Sequence, residues 1–151
     1  MAYKSHSRGI SDLKAHLVLT TKYRRRVITA PMLKRLHEVF EALGTKWGCE
    51  VVEFNGESDH VHLLFAYYPQ MQLSKFINNL KTVSSLYIRK EFPEQVRRFY
   101  WNKPVFWHSA YFIASCGGTT VETLRRYVQQ QDSPVEPQEQ LLIGEASNLS
   151  N

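Results

Sequence analysis

Apolar and polar positions change period along the chain, and each change marks an element. Residues 13–21 combine Leu, Val, Ala and Thr with little charge and read as a first strand, followed by the basic turn Lys22, Tyr23, Arg24, Arg25 and Arg26. Beyond Pro31, Leu33, Leu36, Val39, Phe40, Leu43 and Trp47 recur at three- and four-residue spacing, an apolar stripe on a helix that ends near Gly48. Residues 49–54 are β-rich, and Asn55-Gly56 reads as the start of a turn-forming connection. Residues 60–67 alternate, so this pair reads as a hairpin with a longer loop. In its second strand Val61, Leu63 and Phe65 fall on one face, and His60, His62 and Leu64 on the other. A second helix is expected after Pro69, with Leu73, Phe76, Ile77, Leu80, Val83 and Tyr87 as its buried stripe and Phe92-Pro93 as its end. Residues 94–109 are basic and aromatic and read as an irregular surface segment. Residues 111–115 read as a fourth strand, Gly117-Gly118 as a sharp turn, and Thr119-x-x-Glu122 as a capping box opening a third helix, which carries Tyr127.

The resulting order, βαββαβ and then a helix, predicts an α+β fold on the ferredoxin-like or RRM-like plan: an antiparallel sheet with helices on one face and an added C-terminal helix. The 151 residues suit one domain with a real hydrophobic core. Residues 1–131 are expected to form that domain and residues 132–151, rich in Pro, Glu, Ser and Asn, an acidic, mobile or loosely docked tail. The net charge of +5 hides an asymmetry, because Asp132, Glu136, Glu139 and Glu145 follow the last basic residue, Arg126. All 19 Lys and Arg therefore lie in residues 1–131, a surplus that favours a polyanionic partner. Cys49 and Cys116 stand alone in apolar stretches and form neither a metal pair nor a disulfide framework. No apolar run approaches the length of a spanning helix and the start is polar, so a cytoplasmic protein without membrane contact is expected.

Two side chains separated by one residue on a strand project from the same face at about 7 Å backbone spacing, close enough for two imidazoles to meet one cation. His60 and His62 satisfy that geometry, although His-x-His alone is a weak signal and describes packed or solvated pairs as well. A helical tyrosine is ordinarily a ring buried beside a wet hydroxyl. Tyr127 is set apart by Gln131, four residues on and so on the same helical face, whose carbonyl oxygen can join a metal shell beside the phenol. With an ordinary pKa of about 10, a phenol needs proton removal or a cation-activated electrophile to act as nucleophile at neutral pH.

His60-Val61-His62 resembles the HUH motif, two histidines around a bulky hydrophobic residue, and residues 127–131 resemble the tyrosine helix of single-tyrosine HUH transposases, the TnpA-type enzymes of small insertion sequences. Similar stretches are Lys22 to Arg25, Ser58 to Leu64, Leu80 to Ser84, and Phe106 to Gly118, in the family's order, so that the resemblance covers residues 12–131. It implies a divalent cation, Mg2+ or Mn2+, held by His60, His62 and Gln131, and Tyr127 as the catalytic nucleophile that takes a 5′-phosphate of single-stranded DNA. It further implies an obligate homodimer and recognition of DNA hairpins at element ends. Arg24, Arg25, Lys81, Lys103 and Arg125 are candidate phosphate contacts, and Tyr100 or Trp101 a candidate for stacking an unpaired base. The competing readings are a non-catalytic or domesticated hairpin-binding protein, and a larger replication initiator or relaxase, which the chain length disfavours. No RNP-like Lys/Arg-Gly-Phe/Tyr pattern supports an RNA-binding module.

Overall fold

The structure, a computed structural model, describes residues 13–115. Cys116, Arg125, Tyr127, Gln131 and the turn, helix and tail expected around them lie outside the described residues. Strands β1 (Lys14–Thr20), β2 (Glu50–Glu57), β3 (His60–Ala66) and β4 (Phe112–Ser115) form one antiparallel sheet in the order β2-β3-β1-β4. Helices α1 (Ala30–Lys46) and α2 (Leu73–Glu91) supply the core that covers one face of it. The architecture is α+β, as the hydrophobic pattern predicts.

On that face Ala15, Leu17 and Leu19 of β1 and Val61, Leu63 and Phe65 of β3 pack against Met32, Leu36, Val39 and Phe40 of α1 and Phe76, Ile77 and Leu80 of α2. Burying one such Leu or Phe side chain contributes roughly 1.5–3 kcal/mol, so the six strand residues fix the register of β1 and β3. A one-residue slip of either strand would turn its three to the opposite face. Helix α1 begins at Thr29, whose hydroxyl accepts from the Met32 amide at 3.4 Å, with Pro31 in its first turn.

The hairpin differs from expectation in an instructive way. Asn55 and Gly56 lie inside β2, opposite His62 and Val61, and the turn is made by Ser58 and Asp59. Glycine is required at position 56 by packing rather than by a turn: a Cβ there would lie 2.6 Å from Leu33 Cδ1 and 3.0 Å from both the His60 carbonyl and Val61 Cγ1. A bulge between Val51 and Glu53 lets Val51 and Phe54 both pack on the core while Val52 is exposed.

In α2 the buried stripe is Phe76, Ile77, Leu80, Ser84, Ser85 and Ile88; Tyr87 is exposed and Val83 only partly buried. The small Ser84 makes room for Trp107, whose Nε1 donates to its Oγ at 2.9 Å, and Ser85 Oγ accepts from Arg89 Nε at 3.1 Å. Residues 94–109 are not all irregular surface: α3 (Pro93–Tyr100) starts with proline in its first turn and buries Val96 and Tyr100, one helical turn apart. Phe106 and Trp107 join the core. Counting aromatic and basic residues hid this amphipathic pairing.

Candidate active site

Strand β3 places His60 and His62 on the face opposite the helices, with ring centroids 6.4 Å apart. His60 is 1% exposed, and its Nδ1 lies 2.9 Å from Asp59 Oδ1. Asp59 is itself buried in the two-residue turn, where Arg24 donates to its Oδ2 from Nε at 3.2 Å and from Nη2 at 3.0 Å. Burial works against the Asp59 charge, but the His60 hydrogen bond and the Arg24 guanidinium outweigh it and hold the carboxyl below its ordinary range. An ionised carboxylate beside Nδ1 orients the imidazole and favours the tautomer with a hydrogen on that nitrogen. His62, half-buried, has its Nδ1 3.3 Å from Nε2 of a third imidazole, His16 of β1.

The backbone that carries these groups is tied from several sides. The Thr21 amide donates to the Asp59 carbonyl at 3.0 Å, and the Ile28 amide donates to the Ser58 carbonyl at 2.9 Å. A 3-10 turn, Lys22–Arg24, follows, with Tyr23 (φ 60°) and Arg24 (φ 55°) both in the left-handed region. Such a conformation costs of the order of 1–3 kcal/mol per residue and persists only where surroundings impose it. Here the Thr21 hydroxyl donates to the Arg25 carbonyl at 2.6 Å, Tyr100 Oη donates to the Lys22 carbonyl at 2.7 Å, and Asp59 holds the Arg24 side chain. The result turns Arg24 inward and leaves the Tyr23 ring 58% exposed, with Lys22 Nζ and the Arg25 guanidinium 5.4 and 5.9 Å from its centroid.

Of the candidate DNA contacts, Arg25 and Lys103 are exposed, Arg24 is engaged with Asp59, and Lys81 donates from Nζ to the Ser109 carbonyl at 2.8 Å. Burial, and then the neighbouring Lys22 ammonium, lower the Lys81 pKa. Burial and the same two ammoniums lower that of His108, whose Nδ1 accepts from the Ala110 amide at 3.0 Å. Like charges held together in this way are relieved by an anion. Of the two stacking candidates, Tyr100 is 1% exposed with its hydroxyl pushed up to about 12 by burial, whereas Trp101, at φ 53°, is 72% exposed. Arg125, Tyr127 and Gln131 lie outside the described residues.

Sequence reasoning missed Asp59 as the partner of His60, His16 as the partner of His62, and Tyr23 as an exposed ring. The first had a signal in its adjacency to His60. The second required knowing that β1 and β3 pair, and the third a backbone conformation that residue type does not encode. Among the described residues no group of three or more His, Cys, Asp or Glu is arranged to hold a metal ion. The donors present are two imidazoles on one face, one of them backed by a carboxylate. That set fits a divalent cation whose remaining ligands come from elsewhere.

Residues 9–131 match the family model described as transposase, IS200 like. The chain is 26% identical over 122 residues to the ISDra2 transposase TnpA of Deinococcus radiodurans, covering 81% of this chain and 86% of that protein. It is 27% identical over 132 residues to the transposase for insertion sequence element IS200 of Salmonella typhimurium, covering 87% and 85%. Among solved structures it is similar to one assigned to a transposase of D. radiodurans R1, with TM-score 0.69 and 26% identity over 82% of this chain and 94% of that one. It also shares its fold with a REP-associated tyrosine transposase bound to a REP hairpin, with TM-score 0.51 and 12% identity over 79% and 64% of the two chains.

Proposed function

The chain belongs to the family of IS200-like transposases, and on that premise we propose that it cuts and rejoins single-stranded DNA at insertion-sequence ends through a 5′-phosphotyrosine on Tyr127. The observation that carries this reading is the β2-β3 hairpin, which sets His60 and His62 on one face with Asp59 against His60 Nδ1. His60, His62 and Gln131 are the residues that would hold a divalent cation, Mg2+ or Mn2+. Bound there, the ion would supply positive charge on the phosphate oxygens, which a phenol with an ordinary pKa near 10 needs if it is to attack phosphorus. Imidazole suits manganese better than magnesium, which favours oxygen donors.

In the proposed cleavage the Tyr127 hydroxyl gives up its proton, its oxygen forms a bond to phosphorus and the phosphorus–O3′ bond breaks. The departing 3′ oxygen takes up a proton, and the 5′-phosphate stays on Tyr127. In rejoining, a 3′-hydroxyl attacks that phosphodiester and returns Tyr127 to the free phenol. One phosphodiester replaces another, so no nucleotide triphosphate is consumed. Lys22, Arg25, Lys81 and Lys103 are proposed to meet backbone phosphates, with Tyr23 and Trp101 stacking unpaired bases. Arg125 is assigned the same phosphate role from its position beside Tyr127, and Arg24 is proposed to act on DNA only through Asp59.

The strand order and alternating directions support a ferredoxin-like plan. Residues 1–131 are read as the catalytic domain and 132–151 as an acidic tail. An obligate homodimer that recognises hairpins at element ends is proposed from the family resemblance, working in the cytoplasm with its DNA; no helix among the described residues is long and apolar enough to cross a membrane.

The test is cleavage of labelled single-stranded element ends by the full chain with Mn2+ or Mg2+. Chelation, His60→Ala and His62→Ala should each abolish the product. Undiminished cleavage by either histidine variant would overturn the metal-ligand assignment.

A further inference from the structure

Strand β1 carries a buried histidine, flanked after Lys14 by apolar residues and a terminal threonine. Ala15, Leu17 and Leu19 enter the helix-covered core, which turns His16, Val18 and Thr20 to the face that bears His60 and His62. In the antiparallel register Val18 stands opposite His62 and His16 opposite Leu64, so His16 and His62 are diagonal neighbours. That separation is within reach of ring side chains. Their centroids are 5.3 Å apart, His16 Nε2 lies 3.3 Å from His62 Nδ1, and His16 is 5% exposed.

We propose that His16 is a positioning residue for His62, accepting a hydrogen bond from His62 Nδ1–H and so holding His62 in the tautomer that leaves Nε2 to ligate a cation. The inference rests on reading His60 and His62 as metal ligands. Two ring nitrogens at this distance share one hydrogen: with two they would repel, and with none they would oppose lone pairs in a buried setting. A histidine that ligates through Nε2 has its hydrogen on Nδ1, which makes His62 the donor and His16 Nε2 the acceptor.

This gives each ligand support behind Nδ1, but of two kinds. His60 faces the carboxylate of Asp59, and His62 faces the imidazole of His16. A carboxylate in both places would bring a second negative charge to a site whose substrate is a polyanion. An imidazole acceptor fixes the tautomer without adding charge.

The test uses the full chain with His16→Leu, which removes the acceptor, and His16→Gln, whose amide oxygen restores one. Long-range 1H–15N imidazole spectra at pH about 8.5, above the ordinary imidazole range, read the His62 tautomer in metal-free protein. Titration with Mn2+ reads affinity. Wild type should show His62 with its hydrogen on Nδ1. His16→Leu should populate both tautomers and weaken Mn2+ binding by about 10–100-fold, as loss of a partner behind a ligand does, and His16→Gln should recover most of both. An unchanged His62 tautomer and Mn2+ affinity in His16→Leu would overturn the proposal. If His16→Leu does not fold, His16→Gln decides: a His62 ring with its hydrogen on Nε2 in that variant would overturn it. Mn2+ affinity of His60→Ala tests the ligand assignment separately, and the tautomer spectrum tests the His16–His62 bond whether or not metal binds.

Discussion

Asp59 Oδ1 lies 2.9 Å from His60 Nδ1, while Oδ2 of the same carboxylate takes two hydrogen bonds from Arg24. The carboxylate therefore links an imidazole on the sheet to a guanidinium on the loop that follows β1. Asp59→Asn keeps the shape but replaces a charged acceptor by an amide. Mn2+ affinity should fall by about 10–100-fold with the thermal melt still cooperative. Titration calorimetry on the variant checks this, and wild-type affinity would count against the orienting role.

Neighbouring arginines have different tasks. Arg24→Met leaves the buried Asp59 short of its cationic partner and should destabilise the fold by roughly 1–3 kcal/mol, read from urea unfolding. Arg25 is exposed, and its guanidinium lies by the Tyr23 ring. Arg25→Ala should leave unfolding unchanged and lower the slope of log affinity for single-stranded DNA against log salt by about 1.

Tyr23 and Trp101 present large rings to solvent from strained backbone positions, a combination that folding alone does not require. Tyr23→Ala and Trp101→Ala should each weaken binding of single-stranded DNA by about 1–3 kcal/mol, measured by fluorescence anisotropy, with Mn2+ affinity unaffected. Tyr100→Phe, which removes the hydroxyl bonded to the Lys22 carbonyl, should weaken DNA binding only through the shape of the 22–25 loop.

Gly56 admits the close approach of Leu33 to the hairpin that carries both histidines. Gly56→Ala should destabilise the protein by about 1–3 kcal/mol, as overpacking does. The Leu33 terminus can yield, but the His60 carbonyl lies on the backbone and moves only with the strand. A change in the His60 and His62 imidazole NMR signals of this variant would report that movement.

The four strands and the two long helices were legible because their apolar residues keep a period of two or near 3.6. The pairing of His60 with His62 on one face followed from the same period. Asn55-Gly56 misled because that pair is the commonest hairpin signal, whereas here glycine serves a contact 23 positions away along the chain, at Leu33. Helix α3 was obscured because only Val96 and Tyr100 of its eight residues are buried, too short a stripe to stand out among the arginines. The contact of His16 with His62 depends on strand register, a long-range relation that leaves no trace in local periodicity, whereas Asp59 stands next to His60 in the chain.

The central claim, that Tyr127 is the nucleophile of a metal-assisted single-strand transposase, is tested most directly by locating the covalent bond to DNA. Full-length protein would be incubated with Mn2+ and a 3′-labelled single-stranded element end, denatured, digested and mapped by mass spectrometry. The predicted result is a DNA 5′-phosphate on the peptide containing Tyr127, absent from Tyr127→Phe and from His60→Ala. An adduct that persists in Tyr127→Phe, or that maps to another of the eight tyrosines, would contradict the account.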